Sequence, residues 1–137
     1  QIKQAARTHA HLAVCDFVLA EKDAPPESLG SWMAQEPTDA YPLPVGDVLW
    51  HLRASGFHPI SQKDITGMYL DGIRKALPQI QAVLSNIASN NPTDKDLARA
   101  LLDHATLWLT RAAALESGAL RVYYFHAVTK ELKRKAG

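Results

Sequence analysis

Along most of the chain apolar residues recur at every third or fourth position, the spacing of an amphipathic helix. Over residues 2–22, Ile2, Ala5, His9, Leu12, Val18 and Leu19 fall near one side, which predicts a first helix stopped by Pro25 and Pro26. A short second helix is expected around Leu29, Trp32 and Met33. The stretch "EPTDAYPLP" (36–44) holds three prolines and predicts a loop. A third helix should run from Val45 to Ser55 and stop at Gly56, a residue suited to a helix C-terminus. A fourth is expected from Ser61, where Ser61-x-x-Asp64 resembles a capping box with Asp in place of the usual Glu. Its apolar side is Ile65, Met68, Tyr69, Ile73, Ala76 and Leu77, and past a kink or restart at Pro78 it continues through Ile80, Val83, Leu84 and Ile87. A turn at "NNP" (90–92) precedes a fifth helix opened by Thr93-x-x-Asp96, with Leu97, Leu101, Trp108 and Leu115 inside. Gly118 separates it from a last helix carrying Leu120, Tyr124, Val128 and Leu132. No sustained period-2 alternation and no Asn-Gly or Asp-Gly signal predicts a strand. The expected architecture is all-α, six to seven helices in a single domain over residues 1–137.

Composition bounds this picture. An apolar content of 47% in 137 residues supports one packed core. No uninterrupted apolar run approaches the roughly 18 residues of a membrane span, and the polar, His-rich start is unlike a signal peptide. A chain that opens on Gln1 rather than Met reads as a piece of a longer protein. The single cysteine, Cys15, fits a reducing, cytoplasmic setting and reads as a small buried hydrophobe. Net charge is only +1, but its distribution is uneven. Between Val14 and Asp47 seven acidic residues face Lys22 alone, whereas from Arg121 onward five basic residues face Glu131. Such polarity can present a basic face to phosphates.

The segment "HLRASGFHPISQKDITGMYLDGIRKAL" (51–77) then takes on meaning as a helix-turn-helix spanning about 45–77. Val48, Leu49 and Leu52 would pack the first helix, Gly56 would make the turn, and Phe57 and Ile60 would plug the corner. Ser61, Gln62, Lys63 and Thr66 would open the second helix and read base edges, with Arg53, Arg74 and Lys75 clamping phosphates. The alternative is a helical protein-interaction or regulatory module whose polar residues face water.

Other groupings are weaker. His9, His11 and Cys15 form H-x-H-x3-C, but the remaining histidines lack motif spacing, so no metal site is expected. No Gly-x-Ser-x-Gly elbow, phosphate-cradling Gly loop or recognisable catalytic arrangement is present, so neither an enzyme nor a cofactor is expected. Trp32, Trp50 and Trp108 read as core anchors, and in "RVYYFH" (121–126) Tyr124 reads as core with Tyr123 at the rim.

The runs "AARTHAHLAVCDFVLAEKD", "LWHLRASGFHPISQKDITGMYLDGIRKALPQIQAVL" and "LLDHATLW" together resemble the ParB-like proteins of integrating conjugative elements, relatives of bacterial plasmid and chromosome partition proteins. The likeness covers roughly Ala5 to Trp108. It implies a helical DNA-binding domain serving maintenance of a mobile element, nucleoid-associated and commonly dimeric, with Ser61, Gln62 and Lys63 at the start of the recognition helix. Two departures stand out: an acidic, proline-rich insertion at 35–44, and Thr66-Gly67-Met68 where the family carries Ser-Arg-Met.

Overall fold

The computed structural model describes residues 9–20, 26–90 and 93–129. It is not all-α. Strand β1 (His11–Leu19) is followed by helix α1 (Pro26–Gln35), a two-residue strand β2 (Leu43–Pro44), α2 (Val45–Ala54), β3 (Phe57–Asp64), the long α3 (Thr66–Asn90), α4 (Lys95–Glu116) and β4 (Leu120–Thr129). The strands form one mixed sheet in the order β2-β1-β4-β3. β4 lies at its centre, antiparallel to both β1 and β3, while β2 runs parallel to β1 and pairs only at Val18 and Leu19.

Two segments expected in helices are strands, and a third strand takes in the expected turn at 57–60 and the expected helix start at 61–64. Residues 11–19 and 120–129 pair along their whole length, from His11 opposite Val128 to Leu19 opposite Leu120. Both runs are rich in β-branched and aromatic residues, which suit a pleated, half-buried surface. In β4, Leu120, Val122, Phe125, Ala127 and Thr129 are buried. Both faces of this central strand are therefore covered in part, which is why it shows no clean alternation. The third segment, 57–64, is the decisive correction to the helix-turn-helix. Gly56 does stop α2, with φ of 83°, but the chain then enters β3 and not a second helix. Ser61, Gln62 and Lys63 pair with His126, Phe125 and Tyr124 of β4, and a register shift falls between Pro59 and Ser61.

The long-period helical readings hold better. α1, α2 and α4 occupy the expected places, and α3 runs through Pro78 without ending. The α3 start falls later than expected: Asp64 accepts the backbone N–H of Thr66 at 2.8 Å. Asp94, one residue past Thr93, caps α4 by accepting from Leu97 N at 3.3 Å.

Register assigns side chains to the two sheet faces. Phe17, Leu19, Leu120 and Val122 share one face, and with Leu29 and Trp32 of α1 and Ala114 and Leu115 of α4 they form the main core. Val18, Phe125, Ala127 and Phe57 lie on the other face. The largest fully buried side chains are Phe125, Leu115, Leu120 and Val18, each stabilising the fold by about 1.5–3 kcal/mol. The amino-terminal start of the first expected helix and the basic stretch beyond Thr129 lie outside the described residues. Among those described, no helix is long and apolar enough to cross a membrane.

Candidate functional site

β1 is followed by α1, and the proline-rich stretch after α1 turns back to pair with the end of β1 through β2. This path encloses a cavity of about 290 Å³. Asp16 and Phe17 come from β1, Trp32 from α1, and Glu36, Asp39 and Tyr41 from the returning loop. The cavity thus lies toward the carboxyl end of β1, the side on which open α/β sheets hold ligands.

A fixed network anchors its inner wall. Arg111 of α4 grips Glu36 bidentately, Nε to Oε1 at 2.7 Å and Nη2 to Oε2 at 2.8 Å. Trp32 Nε1 donates to Glu36 Oε1 at 2.6 Å, and Arg111 Nη1 donates to the Tyr69 hydroxyl at 3.2 Å. The guanidinium carbon sits 5.4 Å from the centre of the Phe17 ring. Phe17 in turn contacts Trp32 (centroids 5.4 Å) and meets Tyr69 edge-on (5.5 Å). Hydrogen bonding from Arg111 holds the Glu36 carboxyl below its ordinary range, against the opposing effect of burial, with the Arg111 charge and Trp32 adding to the lowering. The same hydrogen bond raises Arg111 above its ordinary value. Planar guanidinium and carboxylate groups meet here in the two-bond geometry that gives the strongest pairs.

The charge of Glu36 is therefore answered by Arg111. Asp16 and Asp39 are not answered: Asp16 accepts only the Phe17 N–H, at 2.8 Å, and neither has a cationic partner among the described residues. The cavity combines aromatic walls with two exposed, unneutralised carboxylates.

Two other features lie nearby. An apolar depression of about 370 Å³ between α3 and α4 is lined by Ile65, Met68, Tyr69, Ile73 and Trp108, so Tyr69 stands between the two cavities. On β1 and β4, His11 Nδ1 and His126 Nε2 are 2.8 Å apart with stacked rings. Cys15 is exposed on β1, not buried, and no group of three metal-ligating side chains converges among the described residues.

The residues expected to read DNA are dispersed. Ser61, Gln62 and Lys63 are exposed on β3. Thr66 is buried at the start of α3, where its hydroxyl accepts the Val122 N–H at 3.0 Å. Arg53 lies in the last turn of α2, and Arg74 is paired with Asp71 on α3 and with Glu116 of α4 (2.9 Å). Lys75 lies exposed on α3. No helix begins at Ser61 to enter a groove. Of the three tryptophans only Trp32 is a core anchor; Trp50 is 62% exposed. The stretch 35–44, an insertion under the ParB-like resemblance, supplies most of the residues that line the cavity. Its one sequence signal is the clustering of acids and an aromatic in a proline-rich connection, the kind of segment that carries binding residues.

No protein-family model matches the chain, and no curated protein matches it. Solved structures do. The phosphoethanolamine N-methyltransferase 2 of Haemonchus contortus, in complex with phosphomonomethylethanolamine and S-adenosylhomocysteine, is similar with a TM-score of 0.72 and 12% identity. That match covers 95% of this chain and 29% of the enzyme. The cyclopropane synthase MmaA2 of Mycobacterium tuberculosis is similar with a TM-score of 0.70 and 11% identity, over 93% of this chain and 47% of the synthase. The chain spans less than half the length of either. It has a methyltransferase-like α/β fold. This likeness, with β3 where a recognition helix was expected, overturns the ParB-like resemblance and the DNA-binding reading with it. It equally leaves the helical interaction module without support, and it counts against the expectation that the chain is no enzyme.

Proposed function

We propose that this chain forms the acceptor-binding side of an S-adenosyl-dependent methyltransferase. The observation that carries the reading is the aromatic, carboxylate-lined cavity toward the carboxyl end of β1, on a fold like that of an N-methyltransferase bound to S-adenosylhomocysteine and a phosphorylated amine. At about 290 Å³ the cavity falls at the lower end of ligand pockets, which span roughly 300–1,000 Å³. It accommodates the reacting end of a small acceptor and is too small for a whole nucleoside donor. No contact to the donor is therefore assigned to these residues. Their part is to bind and orient the acceptor and to shield it from water. Trp32, Phe17 and the Glu36–Arg111 pair make the rigid wall, while Tyr41 and Asp39 make the open rim.

The test uses the complete polypeptide that carries this chain. It should bind S-adenosylhomocysteine in calorimetry and transfer a labelled methyl group from S-adenosylmethionine to an acceptor drawn from amines, alcohols and unsaturated acyl compounds. Tyr41→Ala should raise KM for the acceptor and leave nucleoside affinity unchanged, as expected for a residue that touches only one substrate. Absence of both nucleoside binding and transfer would overturn the reading.

A further inference from the structure

The structure assigns a metal-binding site to the far end of the sheet: a two-imidazole chelate of His11 on β1 and His126 on β4 that takes a divalent copper or nickel ion. His11 Nδ1 and His126 Nε2 lie 2.8 Å apart. The ring planes are inclined by only 16° with centroids 5.0 Å apart, so the imidazoles meet nitrogen to nitrogen. Strand register explains the meeting. His126 is paired with Ala13 and so stands diagonally across from His11, on the same sheet face. Ala13 is exposed and carries only a methyl group, which leaves a bay beside the two rings. Imidazole nitrogens lie about 2.0–2.1 Å from a metal they bind. Two of them at a right angle are then about 2.9 Å apart, and at the tetrahedral angle about 3.3–3.4 Å apart. The observed spacing fits the right angle, which tetragonal copper and nickel prefer and tetrahedral zinc does not.

In the metal-free pair one of the two facing nitrogens carries a proton and donates to the other. On metal binding that proton passes through solvent to the second nitrogen of its own ring, so both facing nitrogens offer lone pairs and no net proton is lost. Each ring turns by roughly 45° to bring its lone pair onto the ion. His11 is exposed and His126 half-buried beside the Ala13 bay, which leaves both rings room to turn. The neighbours on this face are Cys15, Tyr124, Ser61 and Lys63, none of them a carboxylate, so an oxygen-seeking magnesium or calcium ion is not served. No third ligating side chain converges among the described residues, and water completes the coordination. The two histidines lie 115 positions apart, so no sequence spacing could pair them. They sit at the opposite end of β1 from the Asp16 cavity, and the site does not depend on the methyl-transfer reading. A bound ion clips the start of β1 to the end of β4 and stabilises the folded state alone.

The experiment titrates the complete polypeptide, free of any histidine tag, with nickel chloride in a calorimeter. His11→Ala and His126→Ala should each weaken binding by about tenfold or more, because a rigid chelate is lost with either arm. The double variant should lose no more than either single one, as residues sharing one ion require. Ala13→Val keeps both imidazoles and a residue suited to a strand but fills the bay, and it should weaken binding too. Cys15→Ser should leave affinity unchanged. Nickel should raise the melting temperature of the wild type and not that of His11→Ala. Copper in place of nickel should give an electron paramagnetic resonance spectrum split by two imidazole nitrogens. Circular dichroism checks that each variant keeps the fold. Equal nickel affinity in the wild type and both single variants would overturn the site. Losses that add in the double variant would do the same, since they mean two separate ligands. Tighter binding of zinc than of nickel would overturn the right-angle chelate.

Discussion

Glu36 shows how one side chain can hold a site together. Its side chain is 8% exposed and that of Arg111 19%, and the two residues lie 75 positions apart in the chain. Removing one partner of such a pair leaves the other buried and uncompensated. Glu36→Gln should therefore destabilise the protein by roughly 3 kcal/mol, read from urea unfolding. The pH dependence follows from the lowered carboxyl. A carboxyl that loses its proton more readily when folded contributes stability above the ordinary glutamate value of 4.5, and that contribution fades as pH falls from there through the lowered folded value. The melting temperature of the wild type should fall across that window more steeply than that of Glu36→Gln; parallel curves would show that other carboxyls carry the effect. Tyr69→Phe tests the outer branch of the network. It deletes only the hydroxyl that accepts from Arg111 and should cost about 1 kcal/mol.

Among the elements, the α4–β4 connection is the sharpest joint. Gly118 has φ of 82°, a left-handed conformation, and space around it is open. The penalty for a side chain there is purely backbone. Gly118→Ala should cost about 1–2 kcal/mol without any change in packing, measurable by thermal unfolding. At the other end of α4, Asp94→Ala removes the cap on Leu97 N and should cost about 1 kcal/mol. The break at Gly118 was legible in the sequence because glycine acts locally, whereas the cap falls on Asp94 and not on the expected Thr93. The helices α1, α2 and α4 were legible for the same reason, since each repeats its own apolar spacing. The strands were not. In "HLAVCDFVL" the apolar residues Leu12, Val14, Phe17, Val18 and Leu19 satisfy a helical spacing nearly as well as a strand's, and neither face of β1 is wholly polar. In β3 the polar Ser61-Gln62-Lys63 run imitates a helix start until its partners on β4 are known.

At the scale of the whole molecule, β4 is both last among the described elements and central in the sheet. Pairing on both sides and burial of five of its residues make it the most constrained segment. Hydrogen exchange should be slowest at the Val122–Ala127 amides and much faster in the later turns of α3, where Val83 is exposed. Comparable protection in both would contradict a sheet organised around β4. The cavity depends on this arrangement as well. Asp16, Trp32, Asp39 and Arg111 come from β1, α1, a loop and α4, and no local pattern links them. Only the loop's acids and Tyr41 gave a visible hint.

The sequence by itself determined α1, α2 and α4, the stops at Gly56 and Gly118, and the apolar content that permits a core, because these follow from interactions within a few residues. Tertiary structure decided that residues 11–19, 57–64 and 120–129 are strands, and that an acidic, aromatic cavity forms where β1 meets the loop after α1. Pairing between β1 and β4 joins residues as far apart as His11 and Val128. A short apolar run is compatible with either helix or strand, and its choice is made by the distant partner that satisfies its backbone hydrogen bonds and buries its side chains.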